Sequence, residues 1–468
     1  MVSSSVECHQ SWVSDRQTNV KPARKVPESL STYRRSRHAM SSIIAVYSFG
    51  LMCLAMNTCS LAESVNDSPP QYSVSPSDET DVKETFFKSF LDPFEDSPAL
   101  AARKDLGLFD EIGLSGRLAS QAPLQIYGWL DVGYTSASTA AGRLAVAPVP
   151  NRYGDTILFN QAAVVVSKQL KTDELSWGFY GQLFAGSDAS LLQGPGDIQS
   201  SNPQFGMTIR QLNTSVHLPL LTAGGIDVVF GRQGTWMGYE SYMAPGRPLY
   251  SLSYQWNFAE DGSDTGVWTT WHATSQLDLR YAMTLGSNTF FELRGNAPCH
   301  LTQVVYRLDD EWKTVLTGSW IIGNGAIGNV VPYATGRVDS VFELRTVQQY
   351  TKNWKQVVQA NLGVAPGIAV IGTGEWYGVL GITEYCINRS VDANFRYEWF
   401  DDVNGSRTGI ATTFNAVTVG LNYRPRDWIS IRPEIRGDMA DRSAYGKLDS
   451  IHREKEQLTL ALECLIRF

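Results

Sequence analysis

QLTLALECLIRF, running from Gln457 to Phe468, is the stretch that decides the fold. Leu458, Leu460, Leu462, Cys464, Ile466 and Phe468 form one apolar series. The interleaved residues Gln457, Thr459, Ala461, Glu463, Leu465 and Arg467 are mostly polar. A period of two sends successive side chains to opposite faces of a β-strand, so one face meets an oily medium and the other a wet one. Two architectures satisfy that pattern: a membrane-spanning barrel, and a soluble sandwich with one solvated face per sheet.

The same alternation recurs upstream. Leu124, Ile126, Leu130, Val132 and Tyr134 oppose Gln125, Tyr127, Asp131 and Thr135. Leu277, Leu279, Tyr281, Met283 and Leu285 oppose Asp278, Arg280 and Thr284. Val391, Ala393, Phe395, Tyr397 and Trp399 oppose Asp392, Asn394, Arg396 and Glu398. Ile429, Ile431 and Ile435 oppose Ser430, Arg432, Glu434 and Arg436. Strands are predicted near 124–135, 157–170, 174–187, 207–218, 225–233, 264–273, 276–286, 299–308, 312–322, 338–348, 353–364, 373–386, 390–400, 411–424, 427–437 and 457–468. They have the length that crosses a bilayer at a tilt, and their number is even, as in single-chain bacterial barrels. Sixteen long strands in one soluble sandwich would be unusual, and closure removes the edges a membrane forbids. Tyr134, Trp177, Trp399, Tyr423 and Phe468 fall where interfacial aromatic girdles belong. The fold class expected is all-β: a transmembrane antiparallel β-barrel of about 16 strands, over residues 123–468.

The N-terminal residues read differently. Arg34, Arg35 and Arg37 precede the apolar run Ile43 to Met56, and Ser60-Leu61-Ala62 supplies small residues for a peptidase. Residues 1–62 are therefore expected to be a secretory signal with an extended polar start, cut near Ala62. Cys59 lacks a lipobox before it, so lipidation is not expected. Residues 63–122 begin with a Ser/Pro/Asp-rich linker too polar to order itself. Phe86, Phe87, Phe90, Leu91 and Phe94 then recur at helical spacing.

Residues 1–62 hold seven of the 39 Lys/Arg and three of the 47 Asp/Glu, so the cut chain has a net charge of −12. That sign argues against a nucleic-acid partner. The three cysteines left, Cys299, Cys386 and Cys464, show no metal-binding spacing and read as packing residues. The histidines left, His217, His272, His300 and His452, form no HExxH pattern, and neither a GxSxG elbow nor a phosphate-cradling loop occurs. No catalytic residue, metal or cofactor is expected, and the chain is not expected to be an enzyme.

Several fragments, in order, carry a family resemblance: Tyr127-Gly128-Trp129-Leu130-Asp131, Phe159-Asn160-Gln161-Ala162, Gly231-Arg232, Gly238-Tyr239-Glu240, Ala244-Pro245-Gly246, Pro248-Leu249-Tyr250-Ser251 and Thr265-Gly266-Val267. Together they are similar to the β-barrel porin family described as OmpL-like, over Leu124 to Phe468. The resemblance implies a bacterial outer-membrane barrel of porin type and names no solute. The final aromatic, Phe468, resembles the C-terminal signal that the barrel-insertion machinery reads.

Gly234 to Asp264 is a long connection rich in Trp and Tyr, and loops of this length are seldom idle. It is expected to fold inward and narrow the lumen, with Arg232, Glu240 and Arg247 as constriction charges; an extracellular or packing loop is the alternative. Asp131, Asp278, Arg280, Arg396, Glu398, Arg432, Glu434 and Arg436 are expected to line the lumen. Both signs are present, so no strong ion preference follows. The function expected is passive diffusion of small hydrophilic solutes, with membrane lipid around the barrel and a homo-oligomer allowed. The alternatives are a non-conducting surface barrel and a secreted carbohydrate-binding protein.

Overall fold

A computed structural model describes residues 124–309, 313–324, 338–368 and 371–468. The expected signal segment, its cut site, the linker and the amphipathic stretch lie outside the described residues. The first strands are β1 (Gln125–Ala137), β2 (Gly142–Arg143), β3 (Tyr153–Gly154), β4 (Thr156–Lys168), β5 (Ser176–Gly186) and β6 (Gly206–Leu218). There follow β7 (Ile226–Gly234), β8 (Ser263–His272), β9 (Leu277–Thr284), β10 (Cys299–Arg307), β11 (Thr314–Asn324) and β12 (Val338–Thr351). The last are β13 (Trp354–Ile368), β14 (Gly372–Asn388), β15 (Val391–Asp402), β16 (Thr412–Arg426), β17 (Ile429–Ala440) and β18 (Glu456–Arg467).

Sixteen of these close into one antiparallel barrel, each paired with its sequence neighbours, and β1 closes the ring against β18. Every strand window read from the sequence overlaps one of them. β2 and β3 form a small separate hairpin inside the connection between β1 and β4. The sequence did not announce it, nor the short helices α1 (Ser187–Leu192) and α2 (Tyr254–Phe258). Both helices sit in connections, where no face repeats long enough to give a period.

Apart from the three-residue connection after β13, the connections alternate in length. Those after β4, β6, β8, β10, β12, β14 and β16 are short, and they share one end with both ends of the barrel chain. The connections after β1, β5, β7, β9, β15 and β17 are longer and emerge at the other end. In outer-membrane barrels the short turns face the periplasm.

Faces follow parity as the lipid–water boundary dictates. Leu458, Leu460 and Leu462 are each about half exposed on the outside, while Thr459 and Glu463 are buried inside. Of the aromatic girdle candidates, Tyr134, Trp177 and Tyr423 are exposed outward, but Trp399 is 7% exposed. Because Leu462 meets lipid, Leu462→Arg is expected to cost about 2–4 kcal/mol near the bilayer midplane. Urea unfolding from lipid vesicles would show that loss; an unchanged midpoint would place the outer face elsewhere.

One departure from a uniformly polar interior is large. Toward the long-connection end the inward positions become apolar, with Trp268, Ala282, Leu301, Ile321, Val341, Trp376, Phe400, Phe414 and Ala440 in one buried cluster. Gly363 makes room for it, since a Cβ there would lie 1.9 Å from the Trp376 indole. The connection between β7 and β8 fills the space this girdle encloses.

Candidate pore site

Residues 235–262 leave β7 and enter the barrel; this segment is here the inner loop. A chain without regular structure carries unpaired backbone donors and acceptors, which are costly to bury unless something else bonds them. The barrel wall supplies those partners. The Trp236 carbonyl accepts from Gln303 Nε2 of β10 at 2.7 Å. The Gly238 amide donates to Glu343 of β12 at 2.6 Å, and the Tyr239 amide to Gln359 of β13 at 2.9 Å. The Tyr239 hydroxyl reaches Glu384 of β14 at 2.6 Å.

The loop then crosses to the opposite wall. Gln161 of β4 donates to the Tyr242 carbonyl at 2.8 Å and accepts from the Ala244 amide at 3.0 Å. Gln211 of β6 donates to the Tyr242 hydroxyl. Arg432 of β17 donates to the carbonyls of Ala244 and Arg247 at 2.7 and 2.6 Å. Glu434 accepts the Ser251 amide, and Glu398 accepts the Tyr254 amide. The Tyr254 hydroxyl donates to Asp438 at 2.8 Å. Tyr254 and Phe258 stack toward Phe400, and Trp236 meets Trp268 edge-on at 5.0 Å. Each such ring burial stabilises by about 1.5–3 kcal/mol. Glycines admit the loop at the wall: a Cβ on Gly133 of β1 would sit 2.1 Å from the Tyr250 hydroxyl.

The three constriction candidates occupy different places. Glu240 lies inside the lumen, paired with Arg396 at 2.6 Å and accepting the Ser253 amide. Arg247 also lies inside, bonded to Asp188 of α1 at 3.0 Å and to the Ser241 and Tyr242 carbonyls. Burial opposes its charge, but Asp188, Asp131 and Glu463 outweigh that and raise its pKa. Arg232 stands apart at the rim. Pairing between β6 and β7 ends at Leu212 and Arg232, and the guanidinium bridges the diverging strands through Thr208 and the Ile209 carbonyl. Asp197, from the connection after β5, holds it at 2.6 Å.

The eight wall residues predicted from parity are all buried on the inward face. Arg396 binds Glu240, Glu398 and the Ser251 carbonyl. Arg436 joins Glu398 and Asp438, each at 2.8 Å, and Arg432 pairs with Glu463. Asp278 binds His272 at 2.8 Å and Arg307 at 2.6 Å, while Arg280 donates to Gln303. Asp131 lies near Asn160, at 3.5 Å. Most of these charges therefore bond loop backbone or one another.

The sequence reading missed the wall amides Gln161, Gln303 and Gln359, which anchor the loop. Their inward parity was visible, but an amide opposite an unknown partner carries no signal. It also missed a ladder at the short-turn end, where His217 binds Asp227 at 2.6 Å and His272 bridges Asp227 and Asp278. Histidines in separate strands give no local spacing to recognise. Within the loop, burial and then the Glu343 carboxylate push Glu260 well above the usual carboxylate range.

Residues 123–468 match the profile of the family described as "Putative beta-barrel porin-2, OmpL-like". The chain belongs to this family. It is a porin of the outer membrane, as the resemblance read from its fragments implied. The barrel is similar in fold to the outer membrane channel DcaP of Acinetobacter baumannii, at 10% identity and a TM-score of 0.51, covering 74% of this chain and 97% of that one. It is similar to the anion-selective porin from Comamonas acidovorans, at 10% identity and a TM-score of 0.51, covering 74% and 99%. It is also similar to OprB of Pseudomonas putida, at 11% identity and a TM-score of 0.50, covering 76% and 97%. At these identities the likeness shows the porin's fold alone. No curated protein matches the porin's sequence.

Proposed function

We propose that this porin passes small hydrophilic solutes by passive diffusion, and that the inner loop sets the width and charge of the passage. One observation carries the reading: a closed barrel with lipid-facing Leu and Val outside encloses a polar wall crossed by the inner loop. Glu240 and Arg247, paired with Arg396 and Asp188, hold the inner loop across the path of a permeating solute. Arg232 acts at the rim, by fixing the connection after β5. Partners in this reading are the surrounding lipid, the solutes, the insertion machinery and, where copies associate, a second barrel.

A planar bilayer tests it. Discrete conductance steps from correctly folded protein are expected, with liposome swelling in small sugars and none in large ones. A second reading has an observation behind it, since nearly all of residues 236–261 are buried against the wall. A barrel so filled would be a non-conducting surface protein, and folded protein giving no steps would establish that instead.

The leader is proposed to be cut near Ala62, which N-terminal sequencing of the exported protein reads directly. Phe468 is proposed as the insertion signal. Its backbone exchanges two hydrogen bonds with Gly128, at 2.8 and 2.9 Å, and its ring lies where a Cβ on Gly128 would fall. Phe468→Ala keeps the backbone bonds and removes the ring. It is expected to fold in detergent yet assemble poorly in cells, by outer-membrane fractionation. Equal assembly in cells would remove the ring from that role.

A further inference from the structure

The wall of the barrel is uneven in height. β7, β9 and β10 are 9, 8 and 9 residues long, against 15, 17 and 15 for β13, β14 and β16. Eight residues at a barrel tilt rise about 19–22 Å, short of an apolar band about 25 Å tall. Tyr306 of β10, exposed and paired with Leu277 at the start of β9, sits where a girdle aromatic belongs at the short-turn end. The shortfall therefore lies at the long-connection end. The wall is also split there, because β6 runs up to Gly206 but pairs with β7 only as far as Leu212 and Arg232.

Two connections close that stretch together. The Phe290 amide, after β9, donates to the Pro195 carbonyl, after β5, at 2.8 Å. Arg232 grips both, through Asp197 at 2.6 Å and the Asn288 carbonyl at 3.3 Å. Gln193 donates to the carbonyls of Ile198 and Met207 at 2.7 and 3.0 Å, which ties the first connection to the top of β6. Backbone beside hydrocarbon must bond within the protein. Here the Phe291 amide donates to the Thr265 hydroxyl at 3.0 Å, and the Arg294 amide to the Leu285 carbonyl at 2.8 Å. The two connections nonetheless show large apolar side chains: Ile198 is 70% exposed and Phe291 58%, and Phe205 and Leu293 are exposed as well. Such a surface is costly in water and marks a contact. It continues the lipid-facing wall, because exposed Met207 and Phe230 lead up to it on β6 and β7.

We propose that the connections after β5 and β9 form a collar whose Ile198, Phe205, Phe291 and Leu293 side chains enter the acyl chains of the outer leaflet. The collar completes the apolar band where the strands are short, and seals the split between β6 and β7 from the lipid side. It holds whether or not the lumen conducts, so it stands apart from passive diffusion. Ile451, in the connection after β17, is the contrasting case. It is 92% exposed, but it stands among Asp449, His452 and Arg453 beyond the full-length strands β17 and β18, and it belongs to water.

Spin labelling in palmitoyl-oleoyl phosphatidylcholine vesicles tests this. Ile198→Cys, Phe291→Cys and Ile451→Cys are each made on a background carrying Cys386→Ser and Cys464→Ala, and that background alone gives the blank. Each new thiol takes a nitroxide, and power saturation compares collisions with oxygen, which dissolves in the acyl chains, and with a water-soluble nickel chelate. At 198 and 291 oxygen is expected to exceed nickel several-fold, and at 451 the order is expected to reverse. Nickel dominating at 198 and 291 places the collar in water and overturns the proposal. Poor access to both reagents, with spin–spin broadening between labels, means that a second copy of the chain covers this face, and overturns it equally. Heat-modified mobility on gels confirms folding before labelling. Should Phe291→Cys fail to fold, Leu293→Cys decides in its place.

Discussion

Replacing Met237 to Glu260 with a short Gly/Ser linker is expected to raise single-channel conductance several-fold and to let larger sugars swell liposomes. A 16-stranded barrel without an insert leaves an aqueous channel. In this porin that channel is crossed from β10 to β14 on one side and from β4 to β17 on the other by one loop. The same deletion should lower thermal stability, because Phe400 and Phe414 lose the Tyr254 and Phe258 rings they pack against and meet water. The wall charges lose their loop partners too, but water replaces those bonds at small net cost. Conductance and melting are thus predicted to move in opposite directions. A deletion variant that folds and conducts like the parent would remove the inner loop from control of the passage.

Arg396→Ala is expected to destabilise the porin by about 3–5 kcal/mol, the usual consequence of leaving buried carboxylates without their cation. Glu240 and Glu398 both face that guanidinium, and the Ser251 carbonyl and Thr418 hydroxyl share it. Among the described residues Glu240 pairs with no second cation, so it is the group left stranded. Adding Glu240→Gln to Arg396→Ala should recover part of the loss, and the cycle isolates the pair. Heat-modified mobility on gels and unfolding in urea would read both effects. If the double substitution is no more stable than Arg396→Ala alone, the ion pair is not what holds that part of the loop.

How much of this was visible beforehand depends on which medium each residue meets. The strand windows came through because lipid and water impose a period of two, and one slipped residue would turn every side chain to the wrong medium. Leu458 to Phe468 therefore declared a face before any partner was known. The inner loop marked itself through Trp236, Tyr239, Tyr242 and Tyr254 as more than a plain connection, but its residues left an extracellular or packing loop equally open. Nothing local showed where it would land. Arg396 and Glu240 are 156 positions apart, and Gly238 and Glu343 are 105 apart. The apolar girdle was hidden for a related reason. In β15, Phe400 takes the inward parity of Arg396 and Glu398, and only the loop rings opposite explain why an apolar residue stands at that position. Arg232 illustrates the limit at single-residue scale. Its strand was placed correctly, but the gap it closes exists only because β6 and β7 stop pairing there.

The inner loop is made early in the chain, yet its anchors Arg432, Glu434 and Asp438 lie 183 to 188 positions beyond the residues they hold. Until β17 is seated, half of the loop's resting place does not exist, and contacts of such separation form late because so much chain must first be brought together. A half-built cylinder of this porin is therefore hollow. Docking of the loop becomes a checkpoint that only a finished ring can satisfy.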